Sequence, residues 1–305
     1  MPDQAGVLVA VVGATASGKS DLAVDLALAV GGEVVNTDSM QLYRGMDIGT
    51  AKLSVTERRG VPHHLLDVLA VTESADVARF QRAARRAVVD IWSRDKVAIL
   101  AGGSGLYVRS VIDSYDFPGT DPALRASLEA ELERVGSHSM HESLRGVDPA
   151  AADSILPSNG RRIVRALEVV TLSGRPFAAH LPEPRYAHAR TVQVGIEVSR
   201  TVLDGRVQQR VERMWQAGLV EEVRRLAGQG LRDGRTASRA LGYAQLLGYL
   251  DGRWSQEEAK ERTVAATRRF VRRQDAWFRR DPRVSWMAPG PGLVEDALGV
   301  IDTLR

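Results

Sequence analysis

The octapeptide Gly13 to Ser20, GATASGKS, follows an unbroken apolar run from Val7 to Val12 and leads into helically spaced apolar residues from Asp21 to Val30. A GxxxxGK[ST] pattern between a buried strand and a helix reads as a phosphate-binding loop. Its glycines let backbone N–H groups curl around phosphate oxygens, and the helix N-terminus adds partial positive charge. Lysine adds a point charge, and the final hydroxyl can hold Mg²⁺. The candidate cofactor-binding set is therefore Gly13, Ala14, Thr15, Ala16, Ser17, Gly18, Lys19 and Ser20, with Ser20 as the metal ligand. The motif specifies a bound di- or triphosphate without saying which. Glu33 to Asn36 reads as a second strand, which makes the opening a βαβ unit of a parallel sheet.

Charge and cysteine content narrow the chemistry. The 305 residues carry 41 basic and 38 acidic side chains, a net of +3 that is too small to argue for a polyanion partner, so placement decides. Only Lys19, Lys52, Lys96 and Lys260 are lysines, which makes the lysine of the phosphate loop a departure from an arginine-dominated composition. A compact ammonium suits a site too narrow for a guanidinium fork. There is no cysteine, which excludes disulfides, a thiolate nucleophile, iron–sulfur clusters and Cys-based zinc sites. No apolar stretch reaches the length of a membrane span, and MPDQAG lacks a basic leader, so the expectation is a cytoplasmic protein without membrane contact.

The α/β pattern repeats. Phe80 to Arg94 has amphipathic helical spacing, Val97 to Leu100 reads as another buried strand, and Ala101 to Gly105 forms a second glycine turn. From about Phe117 to Arg190 strand signals vanish and seven prolines punctuate short helical segments. Thr191 to Val198 then alternates like a strand, followed by helical patterns at Arg200 to Trp215, Gly242 to Leu250 and Gln256 to Arg279. The expected fold class is α/β: a P-loop NTPase-like parallel-sheet core, residues 1–117 and 191–305 with C-terminal helices, and an inserted helical domain over 118–190. His138 and His141 sit i,i+3 in that insertion without a third ligand, so they are expected at the surface.

Asp38 falls just after the second strand, at the carboxyl edge of the sheet where ligands of open α/β folds bind. A carboxylate there can accept a proton from a nucleophile or hold Mg²⁺. The segment Asn36 to Lys52, NTDSMQLYRGMDIGTAK, together with the phosphate loop, closely resembles the tRNA dimethylallyltransferase family. The resemblance continues through VPHHLLDV at 61–68, AGGSGLYVRSVID at 101–113 and RRIVRALEV at 161–169. It extends to RVERMWQAGLVEEV at 210–223, RALGYAQ at 239–245 and RRFVRRQDAWFRRD at 268–281.

That resemblance implies transfer of a dimethylallyl group from its diphosphate to N6 of the adenosine 3′ of the anticodon (tRNA position 37), with Mg²⁺ as cofactor and the tRNA anticodon stem-loop and dimethylallyl diphosphate as partners. It implies a catalytic set of Asp38 as general base with Thr15, Lys19 and Arg210. It further implies RNA contacts at Asp38, Ser39, Met40, Gln41, Ser104 and Arg125, and at Arg161, Arg162, Ile163, Val164 and Arg165. Two more runs follow: Arg239, Ala240, Leu241, Gly242, Tyr243 and Ala244, then Arg272, Arg273, Gln274, Asp275, Ala276, Trp277, Phe278 and Arg279. A monomer is expected. Many relatives carry Pro at Ala14 and Thr at Ser20 and Ser104, and often a threonine where Ala276 stands, which removes any RNA bond made by that hydroxyl.

The residues themselves support the RNA reading at the C-terminal helix. From Lys260 to Arg283 nine basic residues face three acidic ones, a local charge of +6 in 24 residues, with Phe270, Trp277 and Phe278 interleaved. Three other readings remain: an isopentenyltransferase acting on free adenine nucleotide, a small-molecule P-loop kinase, and a catalytically idle RNA-binding protein. The insertion and basic helix weigh against the first, GGSG in place of a metal-binding acid after the strand against the second, and the joint presence of Asp38, Lys19 and Ser20 against the third.

Overall fold

In a computed structural model that describes residues 6–115, 117–177 and 182–304, the run Val7 to Val12 supplies both faces of a sheet. Leu8, Ala10 and Val12 pack into one layer and Val7, Val9 and Val11 into the other, all with little or no exposure. A strand buried on both faces must be apolar without interruption, which is why no alternation is visible in it. The first five residues, on which the expectation of no basic leader rests, lie outside the described residues.

The strands are β1 (Leu8–Val12), β2 (Glu33–Asn36), β3 (His63–His64), β4 (Ala98–Ala101), β5 (Thr191–Ile196) and β6 (Val284–Met287). They form one parallel sheet in the order β3-β2-β4-β1-β5-β6. After β4 the chain crosses to the other side of β1, so the order reverses at β1, the strand that feeds the phosphate loop. The P-loop-like α/β core is the expected fold class. Helix α1 (Lys19–Val30) packs in the layer of Val9 and Val11, where Leu22, Leu26 and Ala27 are buried, and stops at Gly31, whose φ of 66° no other residue adopts cheaply. Helices α2 (Val77–Trp92) and α3 (Gly105–Ile112) pack in the layer of Leu8, Ala10 and Leu100. Each aliphatic side chain buried this way contributes about 1.5–3 kcal/mol.

The chain divides into two compact units, one comprising the chain up to Ser114 and from Arg185 on, the other Tyr115–Pro184. The second contains α4 (Pro122–Val147), α5 (Pro149–Ser154) and α6 (Gly160–Ser173) around a small core of Met140, Leu144, Ile155, Ile163 and Val164. The sequence suggests short helices here, whereas α4 is long and is interrupted only at Gly136, where φ is 80°. His141 is corrected: it is buried, and its Nε2 lies 2.9 Å from the carbonyls of Ala152 and Ile155, tying α4 to α5. His138 is exposed. The chain is back in the first unit by residues 185–187 because Ser114 N–H bonds the Arg185 carbonyl and Ala187 N–H bonds that of Ile112, both at 2.8 Å.

The C-terminal part adds α7 (Arg200–Gln216), α8 (Leu219–Ala227), α9 (Tyr243–Leu250), α10 (Gln256–Phe278) and α11 (Leu293–Asp302). Helix α10 starts at a capping box: Ser255 Oγ accepts the Glu258 N–H and the Glu258 carboxylate accepts the Ser255 N–H. Among the described residues no helix is long and apolar enough to cross a membrane.

Candidate active site

The loop leaving β1 turns through Gly13 at φ 140°, Ala16 at φ 68° and Gly18 at φ 100° before α1 begins at Lys19. Only glycine enters the first and last of these conformations without strain. The turn is closed by Ser17 N–H on the Ala14 carbonyl, and Arg206 of α7 donates to the carbonyls of Ala16 and Ser17 at 3.3 and 3.5 Å. Ser17 Oγ is buried and has no hydrogen-bond partner among the described residues. Among the described residues Lys19 Nζ reaches only the Ala14 carbonyl, at 3.3 Å. Burial, reinforced by the Arg210 charge and opposed by Asp38, pushes the Lys19 ammonium down to about 8. An ammonium held below its ordinary range by desolvation and a neighbouring cation is a group short of an anion.

The second strand delivers Asp38 to the same edge. Thr37 N–H bonds the Ala101 carbonyl at 2.9 Å, and the turn after β4 presses so closely that a Cβ at Gly102 would meet Thr37 Oγ1 at 2.4 Å and the Asp38 nitrogen at 2.7 Å. Asn36 secures the loop from below: its Oδ1 accepts the Asp38 N–H at 2.9 Å and its Nδ2 donates to the carbonyls of Asp38 and Leu65, each at 3.0 Å. Asp38 Oδ1 accepts the Met40 N–H at 2.9 Å, while Oδ2 makes no hydrogen bond among the described residues. One carboxylate oxygen is thus anchored and the other presented. Ser104 Oγ accepts the Ser39 N–H at 3.3 Å and lies at the same distance from Ser39 Oγ, which seats the start of α3 against this loop.

Arg210 enters from α7. Its guanidinium donates to the Thr50 carbonyl at 3.2 Å, as the Gln41 amide does, and burial lowers it while the Asp38 charge pulls it back up. The loop that carries Thr50 is itself moored by buried Glu222 of α8. That carboxylate accepts the N–H groups of Asp47, Ile48 and Gly49 at 2.9–3.2 Å and the Tyr243 hydroxyl at 2.5 Å.

Several side chains named above as RNA contacts turn inward or are held in ion pairs. Gln274 is 4% exposed; its Oε1 accepts the Thr15 N–H at 2.9 Å and its Nε2 donates to the Gly103 carbonyl at 2.9 Å. It holds the phosphate loop and the glycine turn together. Tyr243 is the fully buried pillar of the Glu222 network, Phe278 and Ala240 lie in the core of the first unit, and Ile163 and Val164 in that of the second. Their apolar character follows the helical period, and that is what carries them inside. Arg125 and Arg165 both pair with Glu168, a fully buried carboxylate that also accepts the Thr120 hydroxyl. Arg279 pairs with Asp275 and Glu197.

Other expected contacts do face outward: Arg161, Arg162, Arg239, Arg272, Arg273, Ala276 and Trp277 are exposed, and Ser39, Met40, Gln41, Ser104, Leu241 and Ala244 are half-buried. Sequence reasoning missed Asn36, Glu222 and the internal role of Gln274. All three are buried polar residues inside otherwise apolar spacing, which is the signal that marks a required hydrogen-bond hub.

A parallel sheet whose order reverses at β1, the glycine-rich loop at that reversal and an aspartate in the loop after β2, two strands away, define a P-loop-like α/β fold with its candidate site at one sheet edge. Residues 41–281 match the model of the family described as IPP transferase, and the chain belongs to that family. It is 61% identical over 298 residues to the tRNA dimethylallyltransferase of Salinispora arenicola, covering 97% of this chain and 87% of the relative. It is 60% identical over 283 residues to that of Streptomyces coelicolor, covering 93% and 90%. Among solved structures, the full-length tRNA isopentenylpyrophosphate transferase of Bacillus halodurans superposes with a TM-score of 0.72 at 38% identity, covering 98% of this chain and 96% of that one. A eukaryotic dimethylallyltransferase acting on tRNA gives 0.81 at 25% identity, covering 93% and 74%.

Proposed function

We propose that this enzyme transfers the dimethylallyl group of dimethylallyl diphosphate to N6 of the adenosine 3′ of the tRNA anticodon (position 37), in the cytoplasm and as a monomer. The N6–carbon bond forms as the carbon–oxygen bond to diphosphate breaks, the diphosphate leaves with the electron pair, and the N6 proton passes to a carboxylate. Asp38 takes that proton. The observation that carries the reading is the division of labour in its carboxyl group, with Oδ1 anchored on Met40 N–H and Oδ2 unbonded, beside two cations that lack an anion, Lys19 and Arg210.

The amides of the phosphate loop, the α1 N-terminus, Lys19 and Arg210 meet the charge that builds on the departing diphosphate. Stabilisation of this electrostatic kind is often the largest single term in catalysis. The donor set also suits Mg²⁺. Among the described residues no group of three or more His, Asp or Glu side chains is placed to hold a metal. Ser20 offers a hydroxyl where α1 begins, three residues after Ser17, whose Oγ is orphaned. Mg²⁺ is commonly held by few protein groups together with substrate phosphates and water. When bound with the diphosphate, it supplies further neutralisation of the leaving group. The RNA meets the half-buried Ser39 to Gln41 segment, the exposed arginines of α10 and, from the helical unit, Arg161 and Arg162.

The test is incubation with labelled dimethylallyl diphosphate and either tRNA or AMP. Label in tRNA, with no ATP consumed, is the expected result. Label in AMP alone would assign the chain to free-nucleotide prenylation, and stoichiometric ATP hydrolysis would assign it to phosphoryl transfer.

A further inference from the structure

The connection between α9 and α10, together with the first half of α10, carries a cluster of cations that the transfer chemistry does not use. Trp254 is half-buried and donates its indole N–H to the Gln245 carbonyl at 2.7 Å. Two guanidinium groups stack on its ring, Arg253 at 4.9 Å and Arg262 at 4.6 Å from the centroid. With Gln245, Ala265 and Arg269 they line an open groove of about 470 Å³.

Stacking occupies the face of a guanidinium and leaves its in-plane N–H donors available, while fixing a fork that would otherwise lose freedom on meeting an anion. Arg253 also touches Asp251 at 3.2 Å, but Arg262 and Arg269 have no carboxylate partner among the described residues. Glu258, one helical turn before Arg262, is committed to the capping box of α10, and among the described residues the adjacent Glu261 makes no ion pair with Arg262. Two arginines stacked on an indole and a third lining the same groove, only one of them paired with a carboxylate among the described residues, select an extended anion. Arg269 precedes Arg273 by one helical turn, so the groove continues into the exposed arginine face of α10.

We propose that this Arg253–Trp254–Arg262 groove grips the phosphate backbone of the RNA substrate, as a contact beyond the family-type segments at 239–244 and 272–279. The proposal rests on the tRNA reading above. Phosphate contacts fix register on the RNA without reading bases, so the groove adds affinity and orientation rather than sequence choice.

Binding of an unmodified tRNA transcript to the full-length chain, measured across a range of KCl concentrations, tests it. In the double variant Arg253→Gln, Arg262→Gln, each arginine lost should make the slope of log K against log salt shallower by about 0.7–0.9, which weakens binding roughly five- to eightfold per contact at about 0.1 M salt. Trp254→Phe, which keeps an aromatic face, should bind as the parent does. Trp254→Leu should weaken binding with a smaller change in slope, because the charges remain. Unchanged affinity and slope in the double variant would overturn the groove assignment, and so would weaker binding at an unchanged slope, which marks structural damage. Poly-glutamate competing as well as tRNA at matched charge would reassign the groove to an acidic polypeptide. Parent protein that transfers no dimethylallyl group to any tRNA would instead remove the reading on which the proposal stands, a result visible without any variant.

Discussion

Gln274 accepts the backbone N–H of Thr15, 259 positions away in the chain, at 2.9 Å. The same amide donates to the Gly103 carbonyl, so one side chain of α10 sets the spacing between the phosphate loop and the glycine turn after β4. Replacing it with leucine keeps the volume and orphans both backbone groups, at a cost of about 1–3 kcal/mol. We expect Gln274→Leu to raise the KM for dimethylallyl diphosphate roughly tenfold or more. Its tRNA affinity should stay near that of the parent. A variant that loses tRNA affinity first, with an unchanged KM for the diphosphate, would restore Gln274 to the RNA surface.

Asp38→Asn preserves shape and the Met40 contact but cannot take a proton. Single-turnover transfer should fall by about 10²–10⁴-fold, the usual contribution of a general base, with tRNA binding retained. Near-normal turnover would remove Asp38 from the proton transfer.

Lys19 makes a pH prediction of definite sign. Its ammonium is held at about 8 against an ordinary 10.5, so between those values the folded chain binds fewer protons than the unfolded one and the stability of the ligand-free enzyme rises with pH. Lys19→Met should therefore stabilise the ligand-free protein at neutral pH, by about 1–2 kcal/mol, with the gain shrinking above pH 8. The parent should bind dimethylallyl diphosphate more weakly as pH rises through about 8, because the protonated form meets the anion. A Lys19→Met variant less stable than the parent at pH 7 would contradict this account.

Glu168 anchors the helical unit. Burial pushes its carboxyl up, but hydrogen bonds from Arg125, Thr120 and Arg165 outweigh it and hold the group below the ordinary carboxylate range. A lowered carboxylate contributes stability above its unfolded value, and that contribution disappears as pH falls through the folded one. Glu168→Ala leaves two arginines facing a buried void and should cost about 3–5 kcal/mol. Hydrogen exchange should show the loss in α4 and α6 while α1 keeps its protection. Equal loosening of both units would deny the local role.

The exposed pair Arg272 and Arg273 provides the RNA test on α10. Changing both to glutamine should flatten the salt dependence of tRNA binding by about 0.7–0.9 per phosphate contact and reduce turnover at saturating tRNA far less. An unchanged slope would leave the basic face of α10 as solvated surface.

Sequence alone determined those parts of the molecule whose causes are local. Gly13 to Ser20 must form a tight turn between strand and helix because its glycines enter the conformations that the turn needs, and Val7 to Val12 must be doubly buried because nothing in it tolerates water. Asp38 could be placed because a strand end lies one residue pair away. Elements with weak local signals escaped: β3 and β6 are two and four residues long, and α11 follows the last strand without a capping side chain. What only the tertiary structure decided is which polar groups face inward. Gln274, Tyr243 and His141 look like surface or ligand-contacting residues in the chain, yet each is buried because a backbone or carboxylate partner on another element, 11 to 259 positions away, needs its hydrogen bond. A buried donor or acceptor costs free energy unless paired, and its partner is chosen by how helices pack on the sheet, which no local pattern encodes.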